Sequence, residues 1–167
     1  VEKADGTRFI ATYIENRLKF SPYIKDAAVI GQGRDMLTAI VCVDFQAVGQ
    51  WAQENGVSYT SYAELSQQPQ IYGLIAGQLA EVNAHLPHGL SVARFVNLHK
   101  EFDPDDGEVT RTRKLKRNVI DDRYGPIIEA MNAGQEQIDF RAQITYENGQ
   151  TGTLDRVLRL SDVKGAA

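Results

Sequence analysis

Residues 26–43 read DAAVIGQGRDMLTAIVCV and contain two short apolar segments, 26–30 and 37–43, separated by a polar connection. Both segments are rich in β-branched residues, which favour extended strands. The connection contains Gly31 and Gly33, and glycine is typical of turns between strands. This stretch therefore predicts a hairpin, or two neighbouring buried strands.

A helix is predicted just before these strands. Thr12 and Glu15 have the spacing of a capping box, and apolar residues then recur on one helical face. These features predict a helix over about residues 13–20. Because Glu15 and Lys19 are four residues apart, we expect them to form an ion pair on the solvated face of this helix.

Further helices and a third strand are predicted downstream. Apolar residues share one face over residues 45–55, and Ser61 begins a second capping box and with it a short helix. Pro69 suits the first turn of a longer helix, in which apolar residues recur at helical intervals. Residues 93–98 alternate weakly and predict a third strand.

The last third of the chain changes from helical to strand patterns. Residues 115–120 and 127–131 are apolar at helical spacing, whereas residues 140–146 alternate strictly. Asn148-Gly149 is a strong hairpin signal, and residues 153–160 form a suitable return strand. The whole pattern predicts an α+β fold: a small, mostly antiparallel sheet of about three strands flanked by helices, with an additional C-terminal β-hairpin.

Size and composition narrow the class of protein. At 167 residues the chain is expected to form one domain, or one domain with an appendage. Its single cysteine, Cys42, lies in an apolar run, which predicts an inert core thiol in a reducing compartment. The chain shows no signal peptide or transmembrane segment and begins at Val1 instead of methionine. We therefore expect a piece of a longer cytoplasmic protein, with peripheral membrane contact left open.

The strongest concentration of charge lies in residues 101–120, EFDPDDGEVTRTRKLKRNVI. Asp106-Gly107 suits a tight surface turn. This stretch either attracts a polyanion or is a solvated loop in which the charges neutralise one another. Because the bases are local and the net charge is −4, nucleic acid is not expected as a partner. The acids are Glu101, Asp103, Asp105, Asp106 and Glu108, and the bases that follow are Arg111, Arg113, Lys114, Lys116 and Arg117.

No metal site is predicted. His85, His88 and His99 have no cysteine or carboxylate pair in ligand register, so the spacing does not favour zinc. The acids of residues 103–106 are out of register for a calcium loop.

Residues 110–117, TRTRKLKR, and the following Asn-Val-Ile resemble the lysine motif of adenylate-forming enzymes, which include acyl-CoA synthetases, peptide-synthetase adenylation domains and luciferases. The family pattern is Pro-Lys/Arg-Thr-x-Ser-Gly-Lys-Ile/Leu-x-Arg, which places the family lysine on Lys114 and the closing arginine on Arg117. Glu108 stands at the proline position and Arg113 at the glycine position. A similar Thr-x-Thr-x-Lys-x-Lys-Arg form occurs in the long-chain fatty acid–CoA ligase branch.

A second resemblance lies near the start of the chain. The stretch from Gly6 to Glu15 is similar to the segment that follows the interdomain hinge of acyl-CoA synthetases, Gly-x-x-[Ile/Phe]-x-Pro-x-x-Ile-Glu, with Ala11 in place of proline. The resemblance divides the chain into a post-hinge loop (1–10), a C-terminal lid domain (11–132) and an extension with a β-hairpin (133–167). The extension has no assigned role beyond packing or contact with a missing domain.

The resemblance implies the lid of an AMP-forming acyl-CoA synthetase, which activates a fatty or other carboxylic acid as acyl-AMP and transfers it to CoA. The N-terminal domain would be the partner that binds the acid and ATP, and it would supply most of the ligands of the Mg²⁺ ion. Lys114 would be the catalytic adenylation lysine. Gly6, Arg8, Phe9 and Arg117 would contact CoA or nucleotide. The lid would rotate between the two half-reactions and be inactive alone.

Two alternatives stay open. An acyl- or aryl-AMP ligase could pass its product to the phosphopantetheine of a carrier protein instead of CoA. A non-catalytic domain could use the basic stretch to bind a polyanion, or the hairpin to bind a protein.

Overall fold

The computed structural model describes residues 1–87, 89–145 and 151–163. Its elements in chain order are α1 (Ala11–Leu18), β1 (Ile24–Ile30), β2 (Leu37–Val43), α2 (Phe45–Glu54), α3 (Tyr62–Ser66), α4 (Pro69–Asn83), β3 (Val92–Asn97), α5 (Arg117–Arg123), α6 (Gly125–Asn132), β4 (Gln137–Thr145) and β5 (Thr151–Asp162).

The strands form one mixed sheet in the order β1-β2-β3-β5-β4. The β1–β2 pair is the predicted antiparallel hairpin, with Val29 opposite Ala39. The β2 and β3 strands are parallel, and parallel neighbours need a long crossover, which α2, α3 and α4 provide. The remaining pairs are antiparallel. The predicted α+β class with a small, mostly antiparallel sheet is therefore confirmed.

The C-terminal strands differ from the prediction in one respect. They do not form a separate hairpin, because β5 pairs with β3 through Leu160, Ser161 and Asp162. The sheet therefore has five strands within the described residues, not about three plus an appendage. The predicted turn at Asn148-Gly149 lies outside the described residues.

Apolar residues on the two faces of the sheet form two separate cores. Consecutive residues of β2, such as Ile40 and Val41, point to opposite faces, and all seven residues of β2 are buried. One core packs against α1, α2, α3 and α4, and the other against α5 and α6. The sheet is thus the middle layer of three, which explains the unbroken apolar run of β2.

Two of the predicted helix starts are confirmed. The Ser61 hydroxyl accepts a hydrogen bond from the Glu64 backbone N–H at 3.1 Å, which caps α3. Pro69 occupies the first turn of α4.

The predicted capping box of α1 is wrong. This helix begins at Ala11 after Ile10, without a side-chain cap, and Thr12 lies inside it. The solvated Glu15–Lys19 pair is also wrong, because Glu15 is buried and turned toward the sheet. Lys19 instead lies 3.9 Å from a carboxylate oxygen of Asp26 in β1.

Candidate functional site

The basic stretch forms a closed loop, here called the lysine loop (residues 108–117). The Lys116 N–H donates to the Glu108 carbonyl at 2.9 Å, and the Thr110 N–H donates to the Lys114 carbonyl at 2.8 Å. The Thr110 hydroxyl accepts a further hydrogen bond from the Lys114 N–H at 3.0 Å. The tip of the loop is therefore a short, internally bonded turn that carries Lys114.

Arg113 adopts a left-handed backbone conformation, with φ at 65°. This region favours glycine, the residue of the family pattern at this position. Its guanidinium Nη2 donates to the Asp26 carboxylate at 2.6 Å and to the Phe102 carbonyl at 3.2 Å. The hydrogen bond to Asp26 raises the pKa of Arg113, so the pair is held by charge as well as geometry.

Arg117, the first residue of α5, binds Glu15 of α1 through both of its terminal nitrogens. Glu15 also accepts the Val29 backbone N–H of β1 at 2.7 Å. The hydrogen bond to Glu15 raises the pKa of Arg117. Arg117 thus ties the end of the lysine loop to α1, and its contact with nucleotide or CoA stays a prediction.

Glu108 anchors the other end of the lysine loop from inside the protein. Its carboxylate is completely buried and accepts hydrogen bonds from Lys100 and from the Tyr124 hydroxyl. Arg123 lies 3.2 Å from the second carboxylate oxygen. Desolvation and the bond to Glu108 raise the pKa of Tyr124, which therefore stays protonated as the donor. The sequence predicts Glu108 to be one acid of a charged stretch, whereas the structure buries both Glu108 and the neighbouring Val109.

Lys114 is exposed and lines a cleft of about 390 Å³ between the lysine loop, α1 and β1. Other cations line the same cleft, but each has a carboxylate partner. Arg113 and Lys19 are paired with Asp26, and Arg117 is paired with Glu15. Within the part of the chain that the structure describes, Lys114 is the cation of this cleft without an ion pair. Its ammonium group is thus available to an incoming anion.

The N-terminal candidate residues lie elsewhere. Gly6 turns the chain with φ at 85°, and a short bridge joins Glu2 to Arg8. Arg8 is exposed, whereas the Phe9 side chain is buried in the core that contacts α1. The cleft beside Lys114 is lined by none of the three predicted residues of the N-terminal loop. Their contact with CoA stays a prediction.

Neither a metal centre nor a membrane span is found among the described residues. No three His, Cys, Asp or Glu side chains are grouped there so that they could hold a metal ion. His88 lies outside the described residues. No helix in the described ranges combines the length and the apolar character needed to cross a bilayer.

The fold and the lysine loop define a small α+β domain with an exposed lysine at one cleft, and comparison with known proteins identifies its family. The sequence model described as AMP-binding enzyme C-terminal domain matches residues 2–136. The chain belongs to this family, and the predicted resemblance to the C-terminal lid of acyl-CoA synthetases is confirmed.

Two mycobacterial proteins are similar in sequence. Long-chain-fatty-acid–CoA ligase FadD15 of Mycobacterium tuberculosis is 29% identical over 129 residues, covering 77% of this chain and 22% of the relative. A protein of the same species, provisionally named fatty-acid–CoA ligase fadD11, is 33% identical over 133 residues, covering 79% of this chain and 23% of the relative. The chain thus spans less than a quarter of the length of these relatives.

Solved structures share the fold. The A-PCP didomain of carboxylic acid reductase from Segniliparus rugosus, in complex with AMP, aligns with a TM-score of 0.63 at 18% identity, covering 80% of this chain and 17% of that one. The adenylation domain of the carboxylate reductase from Mycobacterium chelonae aligns with a TM-score of 0.62 at 24% identity, covering 80% and 19%.

Proposed function

We propose that this chain is the lid domain of an AMP-forming acyl-CoA synthetase acting on a fatty or other carboxylic acid, and that Lys114 is its adenylation lysine. The supporting observation is the charge arrangement of the cleft. Two arginines that flank Lys114 in sequence are each bound by a buried carboxylate, while the Lys114 ammonium has no ion pair in the described structure. The names of the two curated relatives support the substrate class.

In the adenylation step, a carboxylate oxygen of the acid attacks the α-phosphorus of ATP. The bond from that phosphorus to the oxygen bridging to the β-phosphate breaks, and pyrophosphate leaves with the electron pair. Two anions must approach each other before this bond forms. The Lys114 ammonium reduces that repulsion and stabilises the negative charge that redistributes over the α-phosphate oxygens. Removal of such a preorganised contact costs on the order of 10² to 10³ in rate.

The substrates in this scheme are the acid, ATP and CoA, and a large N-terminal domain is the partner that holds most of each. Mg²⁺ accompanies ATP, and we assign it to that domain because the resemblance places ATP there. In the second step the CoA thiolate attacks the acyl carbon and AMP leaves. We propose that the lid then rotates so that Lys114 withdraws and the loop with Gly6, Arg8 and Phe9 lines the pantetheine path. The isolated 167-residue chain is expected to form no acyl-AMP.

The test is made on the full-length enzyme with Lys114→Ala. Acyl-AMP formation is measured by pyrophosphate release, and thioester formation is measured separately from supplied acyl-AMP. We expect the first rate to fall on the order of 100-fold or more and the second to change little. Arg111→Ala is the matched control, because it removes one positive charge from an exposed position of the same loop.

Full adenylation by Lys114→Ala would refute the assignment and leave the lysine loop as a surface feature. The thioester assay is run with CoA and with a phosphopantetheinylated carrier protein, which separates the two acceptor classes. Exclusive use of the carrier protein would replace CoA in the proposal without changing the role of Lys114.

A further inference from the structure

We propose that Asp26 is a positioning residue for adenylation, which acts through Arg113 to hold the lysine loop in the conformation that presents Lys114. This inference rests on the proposed role of Lys114. It concerns a residue of β1 that is far from the lysine motif in sequence and that the motif does not contain.

The backbone of Arg113 is strained. Its φ of 65° lies in the region that residues with a Cβ rarely adopt. Such a conformation persists only where the surrounding structure fixes it. Glycine would adopt it freely, so an arginine at this position requires an external hold.

Asp26 provides that hold. Its side chain is only 4% exposed and accepts a hydrogen bond from Arg113 Nη2 at 2.6 Å. The same nitrogen donates to the Phe102 carbonyl at 3.2 Å, so the guanidinium is fixed at two points. Asp26 belongs to β1, where it lies opposite Cys42 of the fully buried β2. The loop is thereby tied to the sheet.

The contact between Asp26 and Arg113 also fixes Lys114, because the two loop residues are neighbours. Arg113 directly precedes Lys114, and its N–H donates to the Thr110 carbonyl at 2.9 Å inside the turn. If φ of Arg113 relaxed to a negative value, the peptide that leads into Lys114 would rotate and the ammonium would leave its place in the cleft. Asp26 and Arg113 line that cleft together with Lys114, so their ion pair lies in the same site as the proposed catalytic lysine.

The experiment is made on the full-length enzyme and distinguishes the effect of the Asp26 charge from that of the backbone strain at Arg113. Asp26→Asn keeps the shape of the side chain but removes its charge, and we expect adenylation to fall by about tenfold while thioester formation from supplied acyl-AMP is retained. Arg113→Gly is then added to Asp26→Asn. Because glycine adopts the left-handed conformation without a clamp, we expect adenylation to return to within about threefold of wild type.

The matched control is Lys25→Met, which removes the neighbouring exposed ion pair between Lys25 and Glu101 and should leave both half-reactions unchanged. Thermal unfolding of each variant shows whether the domain stays folded. An Asp26→Asn enzyme that adenylates at the wild-type rate contradicts the inference. So does one that loses both half-reactions equally, or one that glycine does not rescue.

Lys114→Ala is assayed in parallel so that the two proposals fail separately. If Lys114→Ala keeps adenylation, the proposed function is wrong. If Lys114→Ala loses adenylation and Asp26→Asn does not, the positioning role alone is wrong.

Discussion

The guanidinium of Arg117 meets the carboxylate of Glu15 through two hydrogen bonds, Nη1 to Oε2 at 2.9 Å and Nη2 to Oε1 at 2.6 Å. The two residues are 102 positions apart. Glu15 is buried, and it also holds the Val29 N–H of β1. One carboxylate therefore joins the end of the lysine loop, α1 and the edge strand of the sheet.

This geometry predicts that Glu15→Gln destabilises the chain. The amide has one accepting oxygen where the carboxylate has two, so one of the two hydrogen bonds from Arg117 is lost, and the Arg117 charge loses its buried partner. Because Arg117 is 40% exposed, water compensates part of the loss, and we expect a decrease of about 2 kcal/mol in the free energy of unfolding. Urea unfolding of the 167-residue chain measures it.

The matched control for Glu15→Gln is Glu101→Gln. Glu101 pairs with Lys25 at 3.0 Å, but both side chains are more than one third exposed. We expect this substitution to cost less than about 0.5 kcal/mol. Equal losses for the two variants would show that burial does not distinguish the two ion pairs.

A second prediction concerns two glycines in opposite environments. A Cβ at Gly31 would lie 2.2 Å from Leu37 Cδ2 and 2.9 Å from Phe9 Cζ, and both of these side chains are buried. Gly31→Ala should therefore cost about 1 to 3 kcal/mol through overpacking. Gly73 lies in α4, and no atom of the described residues lies within 4 Å of its Cβ position, so Gly73→Ala should stabilise by about 0.5 to 1 kcal/mol. Melting temperatures that shift in the same direction would contradict the pair of predictions.

Local features of the fold were predictable from the sequence because their causes are local. The β-branched runs of β1 and β2 form a hairpin within 20 residues, and Ser61 and Pro69 act on the first turns of their own helices. The position of Lys114 in the loop followed from the motif resemblance. These features depend on neighbours that a short window of sequence contains.

The missed features depend on contacts between distant residues. Glu15 has the spacing of a surface pair, but Arg117 and Val29 turn it inward. Glu108 lies in an acidic run, yet Lys100 and Tyr124 stabilise it in the core. The joining of β5 to β3 spans more than 60 residues, and no local pattern specifies such pairing. The hydrogen bond between Asp26 and Arg113 was not predictable for the same reason, because the two residues are distant in sequence.

A third prediction concerns Cys42, whose thiol is completely buried in β2. Burial raises the pKa of this thiol, because the thiolate would lose its hydration. We expect no reaction with a disulfide reagent at pH 8 in the native protein and one thiol per chain after denaturation in urea. Rapid labelling without denaturant would contradict the buried position of β2.

The final prediction concerns His99, which is 8% exposed and packs against Phe140 with ring centroids 5.8 Å apart. The pKa of His99 is lowered to about 4, mainly by desolvation and also by the charges of Lys100 and Arg156, while Glu108 acts in the opposite direction. In the unfolded chain the pKa of histidine is about 6.5, so the unfolded state binds a proton that the native state excludes. The neutral side chain therefore contributes stability above pH 6.5 that is lost as the pH falls toward 4.

The size of this loss follows from the pKa difference and is about 3 kcal/mol over that interval. His99→Gln removes the titrating group, so the free energy of unfolding, measured in urea from pH 7 to pH 4.5, should fall less steeply than in the wild type. His85→Gln is the matched control, because His85 is exposed and its removal should leave the slope unchanged. Buried carboxylates such as Glu108 are present in all three proteins, so the difference between the two histidine variants isolates His99. A His99→Gln chain with the wild-type slope would show that the imidazole can be protonated in the folded protein at little cost.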